Sequence, residues 1–403
     1  MLNKEIKEII SKAIGDLYKN IKIPDFVVEY PQDKKYGDYA SNIAMILAGM
    51  LNKNPMDIAG EIVSQINKNE RSKDLFCKIT IAKPGFINFE ISNKYLRKNL
   101  CEIFEKKDKF GSSDIGKNKT VVIDYSAPNI AKPMHIGHLR STIIGQALYN
   151  IYKFLGYKTI GDNHIGDWGT QFGKLIYAYK HWGDKKKIDK DPIEEMTKLY
   201  VRFHKEAEKN SELEELARKE TKKLQDKDSE NIKIWKFLVK ESLKDFKKIY
   251  KTLNIKFDHT LGESSYDNML GNIVSEAIER KIAIESEGAI VIDLDRYNIS
   301  PFLIRKSDGA YLYTTTDLAT AKYREEKFKA DKILYVVSNE QALHFQKLFA
   351  SLDLLGWCKD IRVEHIKFGM VLGESGKKFS TRKGDTVKLV DLINKSIEFA
   401  KKA

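Results

Sequence analysis

Two histidines three residues apart, His135 and His138, frame Ile136 and Gly137 just after the stretch Ser126-Ala127-Pro128-Asn129-Ile130-Ala131-Lys132-Pro133. The pattern reads as the end of a strand, a proline-containing loop and the opening of a helix. A helix start offers free N–H groups and the positive end of its dipole, which suits a phosphate. Both imidazoles would lie on one face of the first turn and could donate to the same phosphate chain. Gly137 between them carries no side chain, so a flat ring can lie against the backbone. On these residues alone two other uses of a histidine pair stay open, capping the helix and binding zinc. Zinc would need further ligands nearby, and no cysteine lies in this segment. Far down the chain, Gly376-Lys377-Lys378-Phe379-Ser380-Thr381-Arg382-Lys383-Gly384 is a glycine-bounded cationic loop. A loop of that composition can close over a triphosphate and stabilise charge on its oxygens.

The elements that must position these groups are legible as hydrophobic periodicity. Val121-Val122-Ile123-Asp124 reads as a short apolar strand, and Ile143, Ile144, Ala147, Leu148, Ile151, Tyr152 and Leu155 as one apolar side of the helix that follows. Lys158-Thr159-Ile160-Gly161-Asp162-Asn163 is a second strand, so the run is a βαβ unit and a parallel sheet is expected. The companion half is a strand at 332–337 and a helix at 341–355. Between the halves, residues 184–261 contain no glycine, one proline (Pro192) and 38 charged residues out of 78. Met196, Leu199, Tyr200 and Phe203 form one helical stripe there, and Trp235, Leu238, Val239, Phe246 and Ile249 another, so this is a helical insertion whose charges are solvated faces. Residues 1–105 read as a small α+β unit. Ile6, Ile9, Ile10, Ala13, Ile14 and Leu17 sit at helical spacing, Phe26-Val27-Val28 and Phe86 to Ile91 read as strands, and Tyr39 to Leu51 as a helix face. The expected architecture is α/β: a Rossmann-like nucleotide-binding catalytic domain over 120–385 with the 184–261 insertion, preceded by the α+β domain over 1–105. A polar linker at 106–119 joins them, and a helical region begins at 386–403.

The chain of 403 residues, 42% of them hydrophobic, is long enough for two or three domains and too apolar to be disordered. No window approaches ~18 consecutive apolar residues, so no transmembrane helix and no membrane partner are expected. The charged, alternating N-terminus is not a signal peptide. The odd number of cysteines, 3, argues against a disulfide framework and for a cytoplasmic protein. Net charge is +13, and only residues 262–358 are acidic, at −4. Such a charge attracts polyanions, with lysine as generic surface filler the equal alternative.

His-Ile-Gly-His after the first strand, paired with Lys-x-Ser-x-Arg after the last, resembles the signature of class I aminoacyl-tRNA synthetases. Within that class the chain resembles arginyl-tRNA synthetases along nearly its whole length. The 126–133 loop is similar to theirs, as is Gly161-Asp162-Asn163-His164-Ile165-Gly166-Asp167-Trp168-Gly169-Thr170-Gln171-Phe172-Gly173. Gly37-Asp38-Tyr39-Ala40 and Lys83-Pro84-Gly85-Phe86-Ile87-Asn88 look like the family's N-terminal domain, which touches the elbow of the tRNA.

The resemblance implies an arginine–tRNA ligase, active on L-arginine, ATP and tRNA(Arg), with activation dependent on tRNA and Mg²⁺ carried by ATP. A monomer without a structural metal is expected. By resemblance, Asp124, Asn129, Tyr313, Asp317 and Gln341 hold arginine. Pro128, His135, Gly137, His138, His344, Met370, Val371 and Lys378 hold ATP, and His135, His138, Lys132, Lys378, Ser380 and Arg382 stabilise the reacting phosphates. The position of the second lysine in the standard loop is Thr381 here, and Lys132 is expected to supply the missing charge. On the residues alone, Asp317 could instead cap a helix and Tyr313 could be core. The enzyme alternatives fit less well: a cysteinyl enzyme would want clustered Cys and His, and glutamyl or glutaminyl enzymes have no use for acids at 124 and 317. A catalytically silent, synthetase-like nucleic-acid-binding protein is the non-enzyme alternative, against which His135, Gly137, His138 and Lys378 stand intact. The resemblance implies a further helical, anticodon-binding domain beyond Ala403, and the apolar periodicity still running at 390–400 with no stop signal gives the expectation of a chain cut short.

Overall fold

The computed structural model describes residues 2–370 and 388–402. It divides into two compact units, Met1–Gly111 and Ser112–Ala403.

In the first unit, helix Leu2–Leu17 buries Ile6, Ile9, Ile10, Ala13 and Ile14, the stripe expected from spacing. It packs with helices Ile43–Leu51 and Pro55–Ile66 into one apolar core over an antiparallel sheet. The strand order is Val28–Glu29, Tyr39–Ser41, Phe86–Ile91, Phe76–Ala82. Tyr39–Ser41 is therefore a strand and not the start of a helix: it pairs on both sides, and the helix begins only at Ile43. Backbone ladder bonds to Phe86–Ile91 outweigh the helical reading of that apolar run.

The second unit is built on a four-stranded sheet, all parallel, in the order Arg362–Phe368, Lys332–Ser338, Thr120–Asp124, Lys158–Asp162. Because side chains alternate, each strand feeds two cores. Val121, Ile123, Leu334 and Val336 face a core shared with helices Ile136–Phe154 and Thr170–Trp182 and with the insertion. Val122, Ile160, Ile333 and Tyr335 face the other, made with helices Asp267–Glu279, Tyr313–Glu326 and Ala342–Leu355. A small antiparallel sheet (Ala283–Ser286, Ala289–Ile292, Phe302–Arg305) lies in that second layer. The insertion is built of helices Lys185–Lys190, Pro192–Ala207, Glu212–Gln225 and Ser229–Thr252, and its last residues, 253–261, return to the sheet without helix.

The register also aligns one polar row. Tyr335 stands beside Asp124, and Asp124 beside Asp162, at the C-terminal ends of three adjacent strands. Being in register on parallel strands, the three side chains share one face of the sheet.

Helix Ile136–Phe154 does not bury the face its apolar residues mark. Ser141, Thr142, Gly145, Gln146 and Tyr149 are inside, whereas Ile143 and Ile151 are 43% and 53% exposed. The helix crosses the sheet too closely for branched side chains. A Cβ on Gly145 would lie 2.2 Å from the buried Tyr125 ring, and Ser141 donates to the Val336 carbonyl at 2.6 Å. Gly145→Ala is expected to push this helix off Tyr125 and cost about 1–3 kcal/mol of stability, seen as a lowered denaturation midpoint. An unchanged midpoint would show that the close approach is not required.

Candidate active site

A cavity of about 890 Å³ opens at the C-terminal ends of the parallel strands, where open α/β sheets bind their ligands. One wall is the 126–131 loop. Its backbone adopts left-handed conformations at three non-glycine residues, Ser126, Ala127 and Ala131 (φ +74°, +46° and +61°). Such geometry persists only where the surroundings dictate it. Here Ser126 N–H donates to Ser141 Oγ (2.9 Å), Ala127 N–H to Asn163 Oδ1 (3.1 Å) and Ala131 N–H to Ser242 Oγ (2.9 Å). The loop thereby presents Asn129 to the cavity. Gly166 makes room for it, since a Cβ there would lie 2.1 Å from Asn129 Oδ1. Pro128 does not line the cavity; its carbonyl accepts from Gly166 N–H at 3.2 Å and so fixes the loop.

The two histidines cap the helix and face the cavity at once. His135 is the N-cap, its Nδ1 accepting from Gly137 N–H at 3.1 Å, and His138 Nδ1 accepts from His135 N–H at 3.1 Å. With Nδ1 of each ring an acceptor, the neutral tautomer carries its proton on Nε2. Burial, with the neighbouring His135, pushes the His138 imidazolium down to about 3, so His138 is a neutral donor. Gly137 serves the cap itself: a Cβ would meet the His135 ring at 2.8 Å. The capping and phosphate readings of the pair are thus compatible, because capping occupies Nδ1 of each ring and His138 keeps its proton on Nε2.

The opposite wall is acidic. Tyr313 opens its helix and is 57% exposed, so it is not core. Asp317 lies in the second turn of that helix and is not its cap. The Asp317 carboxylate pairs with His344 Nε2 at 2.7 Å, joining a residue expected at arginine to one expected at ATP. Gln341, His344 and Met370 also line the cavity.

Asp124 lines the cavity and already carries a cation of the protein's own. Its Oδ2 accepts from the wholly buried Arg324 at 2.8 Å, and the same guanidinium reaches Asp162 Oδ2 at 2.7 Å. The physical reason is the polar row: two neighbouring carboxylates on one buried face require a cation. Burial raises the Asp124 carboxyl above the usual range, and Arg324 is the largest influence holding it down.

Lys132 does not line the cavity either. Its ammonium lies 4.5 Å from the centre of the Tyr200 ring, and burial lowers its pKa. Val371, Lys378, Ser380 and Arg382 lie outside the described residues. The described residues on either side are anchored at the cavity mouth: Gly369 O accepts from Arg140 at 2.5 Å, and Lys388 forms a bridge to His135.

Sequence reasoning missed Glu263, His164 and Arg324. Glu263 lines the cavity, and burial, reinforced by Asp317 and Asp167, raises its carboxyl to about 7. Its only signal was position, as the first charge of the acidic 262–358 segment. Acids Asp124, Glu263, Asp317 and Glu340 line the cavity against the single cation Arg140, so the described lining suits a cationic ligand. Among the described residues no three His, Cys, Asp or Glu converge as a metal site.

Comparison with known proteins adds two family matches. Residues 99–403 match "tRNA synthetases class I (R), catalytic domain", and residues 4–91 match "Arginyl tRNA synthetase N terminal domain". The arginine–tRNA ligase of Fusobacterium nucleatum is 42% identical over 395 residues, covering 98% of this chain and 68% of that protein. That of Halothermothrix orenii is 45% identical over 401 residues, covering 99% and 69%. The crystal structure of arginyl-tRNA synthetase from Plasmodium falciparum superposes with a TM-score of 0.76 at 31% identity, over 100% of this chain and 68% of that one. The Thermus thermophilus arginyl-tRNA synthetase shares the fold, with a TM-score of 0.74 at 21% identity, over 100% and 70%.

A guanidinium bound beside Glu263 favours its ionised form, so the bound carboxyl titrates below about 7. Binding then releases a proton in that window, and affinity rises with pH until Glu263 is ionised in the free protein. Between pH 8 and pH 6 the Kd of a guanidinium ligand is expected to rise about tenfold, with roughly half to three-quarters of a proton released at pH 6.5. Calorimetry in buffers of different ionisation enthalpy measures both. A pH-independent Kd without proton release would remove Glu263 from the site.

Proposed function

Since this chain belongs to the arginyl-tRNA synthetase family, we infer that it is an arginine–tRNA ligase whose ~890 Å³ cavity holds arginine at its acidic end and ATP at its histidine end. The observation that carries the assignment of ends is this polarity. Asp124, Glu263 and Asp317 stand on one side, and a helix N-terminus with two imidazole donors stands on the other.

The reaction runs in two transfers. The arginine carboxylate attacks the α-phosphorus of ATP, the bond to the β,γ-phosphates breaks, and arginyl-adenylate and pyrophosphate form. A hydroxyl of the terminal ribose of tRNA then attacks the acyl carbon and releases AMP. Neither step needs a protein nucleophile, so the work lies in positioning and in stabilising charge. The guanidinium sits between Glu263 and Asp317, with Tyr313 beside it. Each charge-assisted hydrogen bond there is worth about 1.5–3 kcal/mol. Asn129 and Gln341 hold the amino and carboxylate groups and aim the carboxylate at phosphorus. His135 and His138 donate to the phosphates through Nε2–H beside the free N–H groups of their helix, where neutral donors suit charge that develops late. His344 and Met370 border the nucleotide, and the family's roles for Val371 at adenine and for Lys378, Ser380 and Arg382 at the phosphates are proposed for those residues here. Mg²⁺ bound to the triphosphate would neutralise part of its charge.

Selectivity follows from the acidic end. A neutral isostere such as citrulline leaves buried carboxylates unpaired, which permits discrimination of 10⁴ or so without editing. The first unit is proposed to contact the elbow of tRNA(Arg), and activation to depend on bound tRNA. Three unpaired cysteines (Cys77, Cys101, Cys358) support a reducing, cytoplasmic setting.

ATP–pyrophosphate exchange with each amino acid, with and without tRNA(Arg), tests the reading. Exchange is expected with arginine alone among the amino acids, and its absence with arginine plus tRNA would overturn the assignment. Asp317→Asn should raise the KM for arginine about 10²-fold with a smaller change in KM for ATP, since it unpairs the guanidinium. Lys132→Ala decides whether that ammonium leaves Tyr200 to meet the phosphates. A loss of tenfold or more in exchange places Lys132 in the reaction, and near-normal exchange confines it to the Tyr200 contact.

A further inference from the structure

Arg324 is buried completely, lies three turns along the helix that Tyr313 opens, and does not itself line the cavity. Its Nε and Nη2 both donate to Asp162 Oδ2 (3.1 and 2.7 Å), and Nη2 also donates to Asp124 Oδ2 (2.8 Å). Its guanidinium lies 5.4 Å from the centre of the Tyr335 ring, the third member of the polar row. Asp124 does line the cavity, and its Oδ1 has no hydrogen-bond partner among the described residues. The protein therefore holds, under the floor of the arginine site, a guanidinium of its own on the inner oxygen of an acid whose outer oxygen remains for the ligand.

We propose that Arg324 is a positioning residue for substrate recognition: it fixes Asp124 as a carboxylate with one oxygen committed inward and the other offered to the guanidinium of arginine. The proposal rests on the function inferred above and adds to it a residue that never meets substrate.

The physical argument is one of charge. Asp124 and Asp162 are neighbours in register on a buried face. The groups facing Asp124 are Arg324 from helix Tyr313–Glu326, Asp162 from its own sheet, His164 from the loop beyond Asp162, and the phenols of Tyr266 and Tyr335. Of these only Arg324 is a permanent cation. Without it, two buried carboxyls side by side share a proton, because both cannot stay ionised in a low dielectric. Asp124 would then meet the ligand as a neutral acid, free to rotate. Binding of arginine would have to expel that proton.

The experiment is calorimetric titration of L-arginine into the whole protein at pH 8, where Glu263 is largely ionised, in two buffers that count protons. The unmodified protein should release less than about 0.2 proton. Arg324→Met should weaken binding tenfold or more and release between about half and one proton. Asp124→Asn should also weaken binding tenfold or more, with no added release. The double variant should be no more than about twofold worse than the weaker single, since the two residues act through one contact. Arg324→Lys keeps the charge and should restore the low proton count. It also serves as the informative variant if Arg324→Met does not fold. Equal proton release in parent and Arg324→Met, additive losses in the double variant, or an Asp124→Asn change below twofold would each overturn the proposal. A parent protein that binds no arginine at any pH would overturn the functional reading and this proposal with it, an outcome distinct from the other three.

Discussion

The structure turns on two carboxylates that neighbouring parallel strands cannot avoid placing side by side. Asp124 and Asp162 end adjacent strands in register, on the face that packs against helix Tyr313–Glu326. Like charges so placed are unfavourable in water and worse in a core. Arg324 resolves the conflict, and in doing so ties the ends of both strands to the helix carrying Tyr313 and Asp317. Removing one member of such a cluster costs about 3–5 kcal/mol, because the remaining charge is left unpaired. The strand ends, the substrate-facing helix and the acidic wall are thus one object, set by a single buried cation.

Opposite that wall the same economy of groups recurs. His135 and His138 satisfy the orphan N–H groups of their helix with Nδ1, so helix capping fixes how both rings stand in the cavity. The strained 126–131 loop between the two walls is held by serine, threonine and asparagine side chains from three other elements. Arginine and ATP would lie along one line from Glu263 to His138, with the carboxylate and α-phosphate meeting between them.

Much of this was legible in the sequence, and the limits have physical causes. The strands around 121 and 332, the insertion and the histidine pair are local patterns, and periodicity finds them. Helix Ile136–Phe154 misled because its buried side is made of Ser141, Thr142 and Gly145, chosen for closeness and hydrogen bonding rather than apolarity. Tyr39–Ser41 misled because an apolar run of that length serves strand or helix, and only its two ladder partners decide. Asp124 was found without its partner, since Arg324 stands 200 residues away and no local pattern links them. Glu263 carries no motif; its meaning comes from the chain returning, after 78 residues of insertion, to the mouth of the sheet.

The central claim is that one cavity orients arginine with its guanidinium among Glu263, Asp317 and the outer oxygen of Asp124, and its carboxyl end toward His135 and His138. A crystal structure with a non-hydrolysable arginyl-adenylate analogue measures that directly. The account predicts guanidinium nitrogens within about 3 Å of those carboxylates and the adenylate phosphate against the start of helix Ile136–Phe154, with Arg324 unmoved. An analogue bound in the reverse sense, or a guanidinium placed away from these acids, would contradict it.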